Sequence, residues 1–163
     1  MTAEGAEEKP IPVAGSALPN DGHVLRHIRS QFVDGENIDG NGFLRRKNED
    51  DGSSVNWLEW FEPPPENQVS GVRGLARLKP GAAAKLVSIN VGQTIQYVIS
   101  QHPDNLALSF VHDPLEVEGD YRADPSHSLI KGLPVNDGPE AELVKDLLVD
   151  CIQARYPAKV KAT

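Results

Sequence analysis

The sequence predicts a single α+β domain in which a small mixed sheet is packed by a long C-terminal helix. Short apolar segments of strand length lie between Gly- and Pro-rich turns. A regular pattern of apolar residues at three- and four-residue steps follows near the C-terminus. With 163 residues, the chain is long enough for one core. We assign residues 21–157 to this domain, residues 1–20 to a disordered acidic tail rich in Pro and Gly, and residues 158–163 to a flexible C-terminus.

The first ordered segment, residues 23–33, fits either a short strand or a helical stripe. After it, residues 37–48 have the alternating oxygen-bearing side chains and the sixth-position glycine of a calcium-binding loop. The twelfth position, where such loops need a bidentate glutamate, is Asn48, and three cationic residues precede it. We interpret this stretch as a turn built from Asn, Asp and Gly, and calcium is not expected as a partner.

The middle of the chain contains further short elements. Trp57, Trp60 and Phe61 are spaced to share one face of a helical turn, which predicts a small core anchor. Residues 84–92 predict a buried strand, and residues 106–114 predict a strand with alternating apolar positions. The stretch "TIQYVISQ" fits a strand or a short helix, and "SHSLIKGL" fits another short strand.

The last element is the clearest one. Asp137 is placed to cap a helix that has Pro139 in its first turn. An apolar stripe then continues as far as Tyr156 and stops at Pro157. We expect this helix to pack its stripe against the sheet.

Charge and cysteine content exclude several classes of protein. A net charge of −8 excludes a protein whose whole surface coats nucleic acid or anionic lipid. The single cysteine, Cys151, has no intramolecular partner and no zinc-type spacing around it, so neither a metal nor a cofactor is predicted. The N-terminal residues are acidic where a signal peptide needs bases, and no stretch is as apolar as a membrane span. We therefore expect a cytoplasmic protein without a membrane partner.

The basic residues are concentrated in one acid-free segment, residues 67–103. If "SGVRGLARL" is helical with Ser70 as its cap, Arg73 and Arg77 share one face and are candidate ligand-binding residues for an anion. The alternative is a solvated basic face beside an acidic neighbour. Aromatic residues for base stacking are sparse in this segment, so a nucleic-acid partner is not favoured.

Two histidines are candidate catalytic residues. His112 ("VHDP") and His127 ("PSHSLI") each lie at an expected strand end, where scaffolds often hold functional groups. Asp113 is placed to orient an imidazole, and Ser126 or Ser128 offers a hydroxyl for acid–base chemistry. The alternative is that these polar groups only bond the loops that carry them.

A set of short motifs carries a resemblance. "LRHI" near the start, then Phe43, Asp51, Ser54 and Val55, and the late "SHSLI" together resemble a family of small uncharacterised bacterial proteins. The resemblance implies a bacterial source and a single mixed α/β domain, and it transfers no activity. It adds Arg26 and Ser54 to His127 as candidate catalytic positions.

The sequence leaves three functions open. One is a binding or accessory module acting with operon-encoded protein partners, for which the acidic N-terminal half, the aromatic cluster or the tail supplies the contact surface. The second is an enzyme acting on a phosphorylated or nucleotide-like ligand, with Arg groups holding the anion and His112 or His127 transferring the proton. The third is weak nucleic-acid binding through residues 67–103. We favour the binding module, because none of the catalytic spacings is specific.

Overall fold

The computed structural model describes residues 14–44, 52–75, 80–101, 107–134 and 139–159. Predictions for residues 1–13 and for Arg77, Asp137 and Asn48 lie outside the described residues. Within the described ranges, strands and helices follow one another in an irregular order. The predicted α+β class is confirmed.

The described chain forms eight strands and three helices. In chain order they are β1 (His23–Ile28), β2 (Val33–Asp34), β3 (Asn37–Ile38), β4 (Ser53–Trp57), α1 (Pro65–Leu75), β5 (Lys85–Asn90), α2 (Val91–Gln101), β6 (Ser109–His112), β7 (His127–Lys131), α3 (Pro139–Asp150) and β8 (Ala154–Pro157).

Six of the strands form the main sheet, in the order β6-β7-β4-β1-β5-β8. Each of its five pairings is antiparallel, and β1 and β5 have the longest register, from His23 opposite Asn90 to Ile28 opposite Lys85. The remaining two strands, β2 and β3, form a separate short hairpin. This arrangement puts β1 at the centre of the sheet, with two covered faces.

Successive residues of β1 point to opposite faces of the sheet and so join different cores. Val24 and Ile28 belong to the larger apolar cluster, to which α2 and α3 contribute. Leu25 belongs to a smaller cluster under α1 on the other face. Burial on both faces removes the alternation of apolar and polar residues, which is why the sequence did not distinguish strand from helix here.

The C-terminal helix is shorter than the sequence predicts, and the prediction that it extends to Tyr156 is wrong. Helix α3 ends at Asp150, and the residues from Ala154 to Pro157 form β8 on the edge of the sheet. Tyr156 packs on the smaller cluster as a strand residue, not as a helix residue. The apolar pattern continues to Tyr156 because one side of β8 is half-buried, and a short strand prolongs a helical stripe without an obvious break.

Two local predictions in the middle of the chain are also wrong. Trp57 ends β4 and is buried, while Trp60 and Phe61 follow in and after a short 3-10 turn and are half-buried. The three aromatic residues therefore do not share a helical face.

Ser70 does not cap a helix, because α1 begins earlier, at Pro65, and Ser70 lies in its middle. The ambiguous stretch "TIQYVISQ" is helical, within α2.

Residues on either side of the assigned domain pack against it. Ala17 forms a bridge with Val111, and the Leu18 side chain is buried. At the other end, Ala158 is buried and its N–H donates to the carbonyl of Ala84 at 3.0 Å. Ala17, Leu18 and Ala158 thus make contacts with the domain although they lie outside the bounds assigned to it. None of the described helices combines the length and apolarity that a bilayer crossing requires.

Candidate functional site

Arg26 lies in the centre of β1 and is fully buried. Its guanidinium donates to three backbone carbonyls, those of Gly42 (2.9 Å), Leu44 (3.0 Å) and Ser54 (2.9 Å). A buried charge in this position is stabilised by oxygen acceptors that the fold itself supplies. The geometry gives Arg26 a structural task, the attachment of residues 40–44 to the sheet.

Arg26 meets Ser54 at the Ser54 backbone carbonyl. Leu25 and Asn56 are directly opposite each other in the β1–β4 register, so their side chains share a face. Ser54 lies two residues before Asn56 on β4 and shares that face, whereas Arg26 points to the other one. The side chains of these two candidate residues therefore do not converge.

His112 is buried at the end of β6. Its Nε2 lies 2.9 Å from the carbonyl oxygen of Pro125, a contact in which Nε2 carries the proton and donates. The imidazole also packs edge-on against the Trp57 indole, with ring centroids 5.1 Å apart and an interplanar angle of 86°. Both contacts tie β6 to the turn before β7 and to β4.

His127 begins β7 and is oriented by Asp113, as the sequence suggested. Its Nδ1 donates to the Asp113 carbonyl at 2.8 Å and lies 3.2 Å from the Asp113 carboxylate. The side chain of His127 is 12% exposed. Because His112 is opposite Ser128 in the β6–β7 register, His112 and His127 point to opposite faces of the sheet. The structure does not bring the two candidate imidazoles together.

A buried polar network lies beside His127, and sequence reasoning missed it. The Asp124 carboxylate accepts from the Ser126 hydroxyl (2.7 Å), the Ser126 N–H (3.1 Å) and the Asn56 amide (2.9 Å). The same Asn56 amide donates to the Ser126 hydroxyl oxygen at 2.9 Å. The local signal was the Asp-Pro-Ser order, which is typical of an Asx turn, but Asn56 is 68 residues away from Asp124. This network fixes the turn that enters β7.

Arg73, a candidate anion-binding residue, is engaged at the edge of the sheet. Its Nε and Nη2 both donate to the carbonyl oxygen of Pro157 in β8. Pro157 has no N–H, and Arg73 occupies its carbonyl, so this end of the edge strand offers little to a further strand. The second candidate of the pair, Arg77, lies outside the described residues.

The start of the calcium-like stretch forms local turns. Asp39 precedes a short 3-10 turn, Gly40–Phe43, and its carboxylate accepts from the N–H of Asn41 at 2.9 Å. That carboxylate oxygen is thus used as a cap. Within the ranges that the structure describes, no group of three or more His, Cys, Asp or Glu side chains is placed to hold a metal ion.

Three surface depressions border the described chain, and none of the three is lined by Arg26, Ser54, His112 or His127. Two of them, each about 520 Å³, adjoin along the exposed side of α2 and share Gln93 and Gln96. The third, about 490 Å³, lies at the tip of an exposed hairpin. The four candidate catalytic residues therefore do not surround any of these depressions.

The hairpin connects β6 to β7 and is called the acidic hairpin here (residues 115–124). Leu115 and Asp124 exchange two backbone hydrogen bonds of 2.9 Å at its base. Glu118 and Tyr121 exchange two more, of 3.1 and 2.9 Å, at its tip. Residues 116–122 are exposed to solvent.

The acidic hairpin exposes apolar side chains. The structure leaves three large hydrophobic residues exposed in the part of the chain that it describes: Val117 (69%), Tyr121 (40%) and Ile99 (38%). Two of the three lie on this one hairpin, four residues apart. A loop that exposes apolar side chains is a candidate contact surface.

Comparison with protein families, with curated proteins and with solved structures gives no match for this chain. The resemblance to a family of small bacterial proteins accordingly stays a prediction.

Proposed function

We propose that the protein is a binding module that acts with a protein partner, and that the acidic hairpin is its contact surface. The observation that carries the proposal is the exposure of Val117 and Tyr121 on one projecting loop. Loops on a rigid scaffold are where binding residues are most often found. The Asp124 network and the pairing of β6 with β7 supply that rigid base.

The engagement of the candidate catalytic groups favours binding over catalysis. Arg26 is fully buried among backbone carbonyls, and His112 is buried between Trp57 and the Pro125 carbonyl. A general acid or base must reach a substrate within hydrogen-bonding distance. An enzyme acting on a phosphorylated ligand needs a cation that faces a pocket, and Arg26 does not line the three depressions described above.

The structure also changes which surface the module is proposed to use. The sequence offered the aromatic cluster as a contact surface, but Trp57 is buried and packs edge-on against His112. Of the basic segment, Arg73 is engaged with Pro157 and Lys85 is half-buried in the sheet. These contacts lend no support to nucleic-acid binding, which stays a secondary prediction.

Affinity capture with matched variants tests the proposal. The full chain is immobilised and exposed to an extract of its source cells beside two variants, Val117→Ser/Tyr121→Ser and Ile99→Ser. We expect a protein that the wild type and Ile99→Ser retain and that the hairpin variant loses, with equal thermal midpoints for all three chains. Retention of the same proteins by the hairpin variant contradicts the proposal.

A further inference from the structure

We propose that Asp34 and Gly35, at the turn between β2 and β3, form a modification site at which the folded chain converts aspartate to isoaspartate. This inference is independent of the proposed function. The reaction passes through a succinimide, which forms when the backbone nitrogen after Asp or Asn attacks the side-chain carbonyl carbon. It is fastest before glycine, because glycine has no Cβ to hinder the approach and its backbone turns freely.

The sequence contains six Asp–Gly or Asn–Gly pairs, two of them in the stretch that resembles a calcium loop. Asp51 and Asp137, which begin two of the six, lie outside the described residues. The other four pairs are Asp21–Gly22, Asp34–Gly35, Asp39–Gly40 and Asn41–Gly42. Their sequences are almost equally open to the reaction, so the structure decides which of them reacts.

Two of the four pairs are protected at the attacking nitrogen. The N–H of Gly22 donates to the carbonyl of Pro19 at 2.9 Å, and the N–H of Gly42 donates to the carbonyl of Asp39 at 3.0 Å. Both glycines are buried. Neither nitrogen can turn toward the preceding side chain unless its hydrogen bond breaks and the surrounding chain opens.

A third pair, Asp39–Gly40, is protected at the side chain. The Asp39 carboxylate accepts from the N–H of Asn41 at 2.9 Å, which holds it away from the nitrogen of Gly40. Gly40 is buried, and it lies close to the backbone of Lys145 in α3. Rotation of this peptide unit therefore requires α3 to move.

The fourth pair, Asp34–Gly35, has none of these contacts. Both residues are exposed, and no described atom lies within 4 Å of a Cβ on Gly35. Among the described residues, none bonds to the Asp34 carboxylate and none accepts from the Gly35 N–H. The hairpin has only two residue pairs, Val33 with Ile38 and Asp34 with Asn37, so its turn opens at little cost.

Water is the only co-reactant that the conversion needs. The Gly35 nitrogen bonds to Cγ of Asp34, and the carboxyl hydroxyl leaves with the amide proton as water. Water then opens the ring at either carbonyl, and opening at the former backbone carbonyl gives isoaspartate. The chain now runs through the side-chain carbonyl and is longer by one carbon. Because loop length sets hairpin register, we expect the pairing of Asp34 with Asn37 to be lost in the product.

A comparison of folded and unfolded protein tests the proposal. The full chain is kept at mildly acidic pH, folded in buffer or unfolded in guanidinium chloride, and isoaspartate is located by peptide mapping with fragmentation. The ratio of the unfolded to the folded rate measures the protection of each pair. We expect a ratio below about threefold at Asp34–Gly35 and above about a hundredfold at the other three, which react only after local opening. A ratio at Asp34–Gly35 that equals or exceeds that of any other pair overturns the proposal.

Two variants separate the three pairs that trypsin leaves on one peptide, residues 30–45. Asp34→Glu keeps the charge but would have to close a six-membered ring, which forms more slowly. After incubation of the folded chain, we expect this variant to lose most of the methyl groups that an isoaspartyl methyltransferase adds to that peptide. Asn41→Gln, the matched control, is expected to retain them. Equal methylation of Asp34→Glu and the wild type overturns the assignment to Asp34.

Discussion

The Nη1 atom of Arg26 donates to the backbone carbonyl of Ser54 at 2.9 Å, across the β1–β4 pair. The sequence singled out these two residues as catalytic candidates, and the structure does place them in contact. The contact is between a guanidinium and a peptide oxygen, however. The same guanidinium also donates to the carbonyls of Gly42 and Leu44. An arginine used in this way holds strands and a loop together, which leads to predictions about stability.

Replacing Arg26 is expected to destabilise the fold even when the charge is kept. In Arg26→Lys a single ammonium group cannot reach three carbonyls that the guanidinium reaches from three nitrogens. We expect a loss of about 3 kcal/mol in the free energy of unfolding, since hydrogen bonds from a charged group contribute about 1.5–3 kcal/mol and are not additive. Urea unfolding measures this loss of free energy, and Arg29→Lys serves as the control because Arg29 is exposed. Equal stability of both variants would contradict a structural role for Arg26.

The buried Asp124 network is expected to respond to an exchange of its groups. Asp124→Asn places an amide nitrogen against the amide of Asn56, so that two donors face each other. We expect a loss of about 2 kcal/mol for this variant. The double variant Asp124→Asn/Asn56→Asp restores a donor and an acceptor and is expected to recover about half of that loss. A double-mutant cycle from urea unfolding gives the coupling, and strict additivity would show that the two side chains do not interact.

The close approach of Gly40 to α3 predicts a steric cost. A Cβ on Gly40 would lie 2.5 Å from the carbonyl oxygen of Lys145, a backbone atom that cannot move aside cheaply. We expect Gly40→Ala to lower the free energy of unfolding by about 2 kcal/mol. In contrast, nothing lies within 4 Å of a Cβ on Gly74, in α1, and Gly74→Ala is expected to raise stability by about 0.5–1 kcal/mol. Thermal unfolding of the two variants checks whether α3 is docked as described.

The thiol of Cys151 predicts a pH dependence on the alkaline side. Burial raises its pKa above the ordinary value of 9.0, although the nearby Thr94 side chain acts in the opposite direction. The folded state thus keeps the thiol proton to higher pH than the unfolded state, so stability falls as the pH rises above 9.0. In Cys151→Ser the slope of unfolding free energy between neutral pH and about pH 10 is expected to be shallower. Tyr97, whose pKa is raised by its hydrogen bond to Asp150, leaves a residual slope of the same sign.

Unchanged slopes in the wild type and in Cys151→Ser would contradict the effect of burial on this thiol. The difference in slope also reports on the packing of α2 against Cys151, because the Thr94 side chain that acts on the thiol is fully buried in α2.

Local pattern predicted the parts of the fold that depend on neighbours in sequence. The strands at residues 106–114 and "SHSLIKGL" appear as β6 and β7, and the stripe on α3 packs into the larger cluster. The Asp113–His127 contact was also within reach, because both residues lie at strand ends where a carboxylate can orient an imidazole.

What the sequence missed depends on long-range pairing. Arginine is almost never fully buried. A sequence pattern therefore makes Arg26 a candidate functional residue and not a core residue. Its acceptors Gly42, Leu44 and Ser54 lie 16, 18 and 28 residues away. The acidic hairpin was missed for a different reason. Exposure of Val117 is a property of the folded chain, and no periodicity marks it.

Site-specific photocrosslinking in living source cells tests most directly whether a protein partner docks on the acidic hairpin. A photoreactive amino acid replaces Val117 in one variant and Glu36, on the β2–β3 hairpin, in another. We expect a discrete adduct of higher mass at position 117 that is absent at position 36. Adducts of equal yield at the two positions, or none at position 117, would contradict it.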